Sequence, residues 1–468
     1  MLQHAFMPFF ERKSPPKALQ ICNIILRYHK VLCFCYLGFK YAVLKYLGSP
    51  LITQLLGIAQ LNSATFTQKR KFIVKLGKML HQYGTPAFRL EAHLMEVATH
   101  LGLKSSFVMS PTSVTFVIWT DGHEEEYTHV ARVEPGDHDL GSLANTDDVV
   151  NKMLAGELSV TQADESLDQI QNADSPYSRW QMAVAFAISG GAFAMLMGTS
   201  WSDVIWSGII SILVYLFILW SEHSKRVTHM LEPMVAIAAA FVACAVSAYF
   251  DPQLNIRLVV LSAIIVFIPG LALALGFAEL SARHLVSGTA RVMDAFMLLF
   301  KLYFGAFLGI SIGFYVFGQV DFVQPEALPK WTAWLAVFLL CMSLVVIFKT
   351  KLKHIPWCIT SGFIAYAVSV SAAIYFDYAL GTFAGAFAVG IFSNIFNRVE
   401  NAPASIVTMK GLIVLVPGSK TYIGLNSLIE GQSFVMADHI GQQTFLIFMS
   451  LVAGLIFANV TLPPKKSL

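Results

Sequence analysis

Two Pro-Gly pairs interrupt apolar stretches of the chain, in Val266-Phe267-Ile268-Pro269-Gly270 and Val414-Leu415-Val416-Pro417-Gly418. The same offset sets Gly276 against Gly424 and Leu280 against Leu428. Proline inside a helix removes one hydrogen bond and clashes with the preceding turn. Backbone groups freed in this way inside a bilayer are tolerated only where protein or a water-filled cavity covers them. Interrupted apolar segments at corresponding places in two halves therefore point to a substrate site. The chemistry is binding and gating, by Pro269, Gly270, Pro417 and Gly418. Ser419, Thr421 and Tyr422 would offer hydroxyls to a polar substrate or to a neighbouring helix. One Pro-Gly alone would read as a kink; two with matching flanks favour function.

Ionisable residues near these breaks form the second group. Glu279 and Asp294 flank the loop after the first break, and Glu400 ends a later apolar segment beside Asn394 and Asn397. Lys301 and Lys410 lie within apolar segments, and Glu430 follows the second break. Such residues are functional candidates by default. Carboxylates there could carry a coupling proton, since a low dielectric favours their neutral form. Interfacial anchoring explains Glu279 and Glu430 equally well, and snorkelling or an internal ion pair explains the lysines.

The elements that must position these residues follow from composition. Of 468 residues, 56% are hydrophobic and 13% charged, with a mean hydropathy of +0.62. Soluble domains carry about a quarter charged residues. The deficit begins near Arg179. Spans need about twenty mostly apolar residues. Candidates are 180–198, 202–220, 233–250, 256–277, 294–317, 331–348, 356–376, 379–396, 404–425 and 442–460. The expectation is a polytopic α-helical membrane protein of about ten transmembrane helices. Two five-helix repeats, 176–325 and 326–468, would be inverted because five is odd. Lys225, Arg226, Arg283, Arg291, Lys349, Lys351, Lys353, Arg398, Lys465 and Lys466 fall on one side, against Arg257, Lys330 and Lys420. That bias places both termini in the cytoplasm of an inner-membrane protein. Gly381, Gly385, Ala386 and Gly390 form a small-residue face suited to helix packing, and such faces would admit a homo-oligomer.

A small α/β cytoplasmic domain, 66–175, precedes the spans, after an N-terminal extension, 1–65, of open role. Phe72, Leu76, Met79 and Leu80 recur at helical spacing, and a second helix runs from about Ala87 to Leu101. Strands follow at Ser106–Met109, Ser113–Thr120 and Glu126–Val133, the last two joined at Asp121-Gly122. Short helices near Asp147–Ala155 and Thr161–Asn172 close it. His93, His100, His123, His129 and His138, with Glu91, Glu96 and Glu124–Glu126, match no zinc spacing. A membrane-bound hydrolase using Glu91 and His93 is the rival from another class, and a sensor is a third reading. There is no Walker motif, and nothing implies a metal, a cofactor or a catalytic residue. A net charge of +3 gives no case for nucleic acid, and the six cysteines read as free thiols.

Gly84-Thr85-Pro86-Ala87-Phe88-Arg89-Leu90-Glu91, with Val97-Ala98 and Leu101-Gly102-Leu103, resembles the opening of the threonine/serine exporter family. Pro269-Gly270, Glu279-Leu280, Ser287-Gly288 and Arg291 resemble its first membrane half. Ala402-Pro403-Ala404 through Pro417-Gly418 and Tyr422 resembles the second. The resemblance covers residues 66–460. It implies export of small polar metabolites driven by protons: threonine or serine, or dicarboxylates such as succinate. The partners it implies are that small-molecule substrate, protons and membrane lipid.

Overall fold

The computed structural model describes residues 64–120, 126–134, 136, 138–318, 326–416 and 434–465, with side chains of the last segment from 442 onward. The N-terminal extension, the Asp121-Gly122 turn, Pro417 through Tyr422 and Glu430 lie outside these residues.

The N-terminal unit opens with helices α1 (Phe66–Gln82) and α2 (Ala87–His100). Thr65 caps α1 in a reciprocal box with Gln68. Strands β1 (Lys104–Ser110), β2 (Ser113–Trp119) and β3 (Tyr127–Arg132) form an antiparallel meander in that order. Alternation decides which face is covered. Phe107, Met109, Val114, Phe116, Ile118 and Ala131 are buried, while Val108 and Val130 face outward, both in register with Thr115. Helices α3 (Leu140–Leu154) and α4 (Val160–Gln171) complete a helices-on-sheet layer. α3 starts seven residues before the expected Asp147, because Asp139 accepts the Ser142 amide and caps it.

The apolar part comprises α5 (Arg179–Leu196), α6 (Trp201–Glu222), the short α7 (Lys225–His229) and α8 (Leu231–Tyr249). Next come α9 (Ile256–Ala263), a 3-10 turn (Ile265–Phe267), α10 (Gly270–Ser281) and α11 (Leu285–Phe317). The remainder is α12 (Thr332–Ile347), α13 (Ile355–Tyr375), α14 (Tyr378–Glu400), α15 (Ser405–Leu415) and α16 (Phe434–Thr461). Among the described residues six helices are long and apolar enough to cross a membrane, or seven if α9 and α10 count as one span, against the ten expected. The three expected spans not in that number are α5, which opens on Arg179-Trp180-Gln181, and α12 and α15, whose described parts have 16 and 11 residues.

Helix α11 starts nine residues before the expected 294. Its 33 residues extend roughly 50 Å, well beyond a hydrocarbon core of about 30 Å. It packs on α8 through Gly305, Gly309 and Gly313, at four-residue spacing, against Ala236, Ala240 and Cys244. The expected small-residue face on α14 does pack against helices: Gly381 and Gly385 against α13, and Gly390 against α16. Cys244, Cys341 and Cys358 are buried free thiols.

Candidate functional site

The chain breaks where the first Pro-Gly pair stands. α9 and α10 are bent by 59° across the interruption. Pro269 occupies the N-cap of α10 with φ −80° and ψ 38°, and cannot donate to the turn before it. α10 then runs alongside α11, with Gly276 against Val292 and Gly288. This pairing carries Glu279 to the N-terminal α/β unit.

Glu279 is fully buried. Its Oε1 accepts from the Ala87 amide at 3.0 Å and from Arg291 Nη2 at 2.9 Å, and its Oε2 accepts from Ser287 Oγ at 2.7 Å. Helix α2 begins at Ala87, and Pro86 at its N-cap offers no side-chain acceptor. A carboxylate from another part of the chain thus caps α2, where the helix dipole favours negative charge. A buried charge is tolerable when paired and hydrogen-bonded, and these three donors supply that. His81 lies close by, its Nε2 3.1 Å from the Ser110 carbonyl oxygen, which accepts from it. Burial pulls its imidazole below the usual range and Arg291 adds to this, against opposing effects of Ser110 and Glu279.

The second buried charge is Lys410, in α15. Its side chain is fully buried, and Nζ donates to Thr350 Oγ1 at 2.7 Å. Nζ also stands 5.0 Å from the Phe348 ring centroid. Among the described residues no carboxylate forms a salt bridge with it. The α/β unit reaches this site as well. Leu140 N–H donates to Phe348 O at 3.0 Å, Tyr177 Oη donates to Thr350 O at 2.7 Å, and Lys349 Nζ lies 3.6 Å from Asp139. The His138 ring meets Phe348 edge-on at 5.8 Å. Burial, with help from Arg291 and Lys410, pulls His138 down to about 4, so it is neutral at physiological pH.

Local geometry explains how these pieces approach. Gly84 has φ +83°, and a Cβ there would collide with His138 Nδ1. Helices α10 and α12 end alike, each with a basic residue in the left-handed region: Arg283 at φ 64° and Lys349 at φ 49°. The next amides, His284 and Thr350, bond back to the Glu279 and Val345 carbonyls. His284 then lies 3.6 Å from Glu91 of α2.

Of the expected charged candidates, Glu279 and Lys410 come to the same side of the molecule, against the α/β unit. Asp294 and Lys301 sit on the exposed face of α11, Lys301 3.6 Å from Glu232 at the start of α8. Glu400 ends α14. Phe348 and Thr350 were not anticipated, and His138 was read only among five histidines that match no zinc spacing. Its place beside Gly84 emerges from a neighbour fifty-four residues away. Among the described residues no group of three or more His, Cys, Asp or Glu could hold a metal.

Long apolar helices around buried charges, with a helix broken at Pro269, define a multi-pass membrane protein. Models of one family cover most of it, one over residues 71–313 and another, "Threonine/Serine exporter, ThrE", over residues 333–461. The chain belongs to the threonine/serine exporter family. Among curated relatives, the pheromone-regulated membrane protein 10 of Candida albicans is 24% identical over 79% of this chain and 34% of its own length. The protein of that name in Saccharomyces cerevisiae is 22% identical over 79% of this chain and 48% of its own. An uncharacterized protein of Schizosaccharomyces pombe is 24% identical over 78% of this chain and 50% of its own. The chain thus spans about a third to a half of these relatives. No solved structure matches.

Proposed function

We propose that this chain is a secondary transporter that exports small polar metabolites, threonine and serine first among them, by proton-coupled alternating access. The observation that carries this reading is the interrupted apolar segment that bends by 59° between Ala263 and Ile265 and restarts as α10 after Pro269, in a chain of an exporter family. Broken helices at the junction of two repeats are where secondary transporters build their sites. Two inverted five-helix halves, α5 to α11 and α12 to α16, are supported by recurring contacts. Ser211 of α6 lies 3.3 Å from the Ala263 carbonyl of α9, and Ser361 of α13 lies 3.1 Å from the Val407 carbonyl of α15. In both halves the third and fifth helices pack through glycine. The basic residues at the ends near the α/β unit favour a cytoplasmic position for that unit.

The test is efflux of labelled threonine from cells fed a threonine dipeptide, with succinate release followed in parallel. Faster threonine efflux that an uncoupler abolishes is the expected outcome. Faster succinate release alone would reassign the substrate to dicarboxylates. Unchanged efflux of both, with the protein in the membrane, would refute the reading for these substrates.

A further inference from the structure

We infer that Lys410, together with Thr350, is the binding site for a carboxylate of the exported molecule, occluded under the α/β unit by Phe348 and His138. This rests on the exporter reading and names the chemistry of its site.

The argument begins with what a buried lysine costs. A fully desolvated ammonium is tolerated when an anion or several acceptors satisfy its three protons. Glu279, with equal burial, has three donors drawn from two parts of the fold. Lys410 has one hydroxyl and one ring face, and no carboxylate among the described residues. The buried carboxylate of Glu279 is already taken by Arg291, and among the described residues no carboxylate forms a salt bridge with Lys410. A methionine of similar volume would meet no such penalty, and buried ion pairs replaced by apolar residues often gain stability. A lysine held there instead is a cation waiting for a partner.

Position supplies the second line. α15 packs against α10, the helix that starts at the Pro269-Gly270 break. Lys410 itself meets Thr350 and Phe348 at the end of α12, where the α/β unit touches the helices. Thr350 offers a hydroxyl in direct contact with the same ammonium, so a carboxylate that replaced this hydrogen bond would accept from both. The Phe348 ring lies between, with Lys410 Nζ 5.0 Å from its centroid and the His138 ring of the α/β unit edge-on at 5.8 Å.

The experiment uses the full chain reconstituted in liposomes. Counterflow of labelled L-threonine and of labelled succinate is measured for the wild type, Lys410→Met, Lys410→Arg and Thr350→Val, with threoninol, which lacks the carboxylate, as competitor. Melting temperature is recorded for each. The expected result is that Lys410→Met melts at the wild-type temperature or above while transport falls by about tenfold to a hundredfold. Lys410→Arg should retain part of the activity, Thr350→Val should weaken apparent affinity, and threoninol should not compete. Wild-type transport by Lys410→Met, or competition by threoninol equal to that by threonine, overturns the carboxylate site and leaves the exporter reading standing. A lower melting temperature for Lys410→Met, restored with full transport by Lys410→Arg, gives the lysine a structural charge and also overturns it. No counterflow of either substrate by the wild type removes both readings together.

Discussion

At the scale of single residues, the two buried charges contrast in their surroundings. Glu279 is saturated by Ala87, Ser287 and Arg291, so its oxygens serve as anchors. Replacing it by alanine leaves Arg291 half-buried without its partner and α2 without a cap. Removing one member of a buried pair costs about 3 to 5 kcal/mol. Glu279→Ala should therefore lower the melting temperature clearly and expose the 83–87 connection to protease. A variant that melts and resists proteolysis as the wild type does would refute the anchoring role. The sequence announced Glu279 as a charge near a membrane and offered proton carriage or anchoring. Only the fold decides between its neighbours, because Ala87 precedes it by almost two hundred residues and donates through a backbone amide that no pattern marks.

Elements were legible where periodicity ran unbroken. The strands β1 to β3, helix α2 and most apolar helices lie within a few residues of their expected bounds, and α1 contains the expected Phe72, Leu76, Met79 and Leu80. The exceptions share a cause. The first turns of α11 carry Ser287, Gly288, Thr289 and Arg291, which interrupt an apolar reading although they are helical, and Ser287, Gly288 and Arg291 face α10. Lys349 and Arg283 take a left-handed conformation that sequence usually signals with glycine. The three glycines of α11 also went unread, and they support the sharpest test at this scale. A Cβ on Gly309 would stand 2.5 Å from the Ile237 carbonyl oxygen and 2.7 Å from Ala240 Cβ. Backbone cannot yield as a flexible side chain can, so Gly309→Leu must push α8 and α11 apart. We expect a loss of about 1 to 3 kcal/mol, read as thermal unfolding in detergent. Unchanged melting would mean that the helices do not meet there.

At the scale of the whole molecule, the α/β unit is joined to the helices by an interface containing His81 and His138. Both imidazoles are pulled below the ordinary histidine value of 6.5, His138 to about 4. A histidine with a depressed folded value takes up its proton more readily when unfolded, so stability falls as the pH drops from about 6.5 towards 4. For His138 the total is of the order of 1 to 3 kcal/mol. The melting temperature should decline across that window, and His138→Phe should flatten the decline. An identical pH profile for the variant would show that His138 is not held neutral in the fold. The same unit touches α10 at Glu279 and the end of α12 at Phe348, Lys349 and Thr350. Mechanically it is a tie rod pinned to two bodies. A hydrogen bond near 2.9 Å survives only a few tenths of an ångström of stretch before it weakens. If the two segments rock, one pin must travel with its body while the other releases. The stiffness of that rod, set by the packing of α1 and α2 on the sheet, then limits how far the bodies can move before a bond is broken.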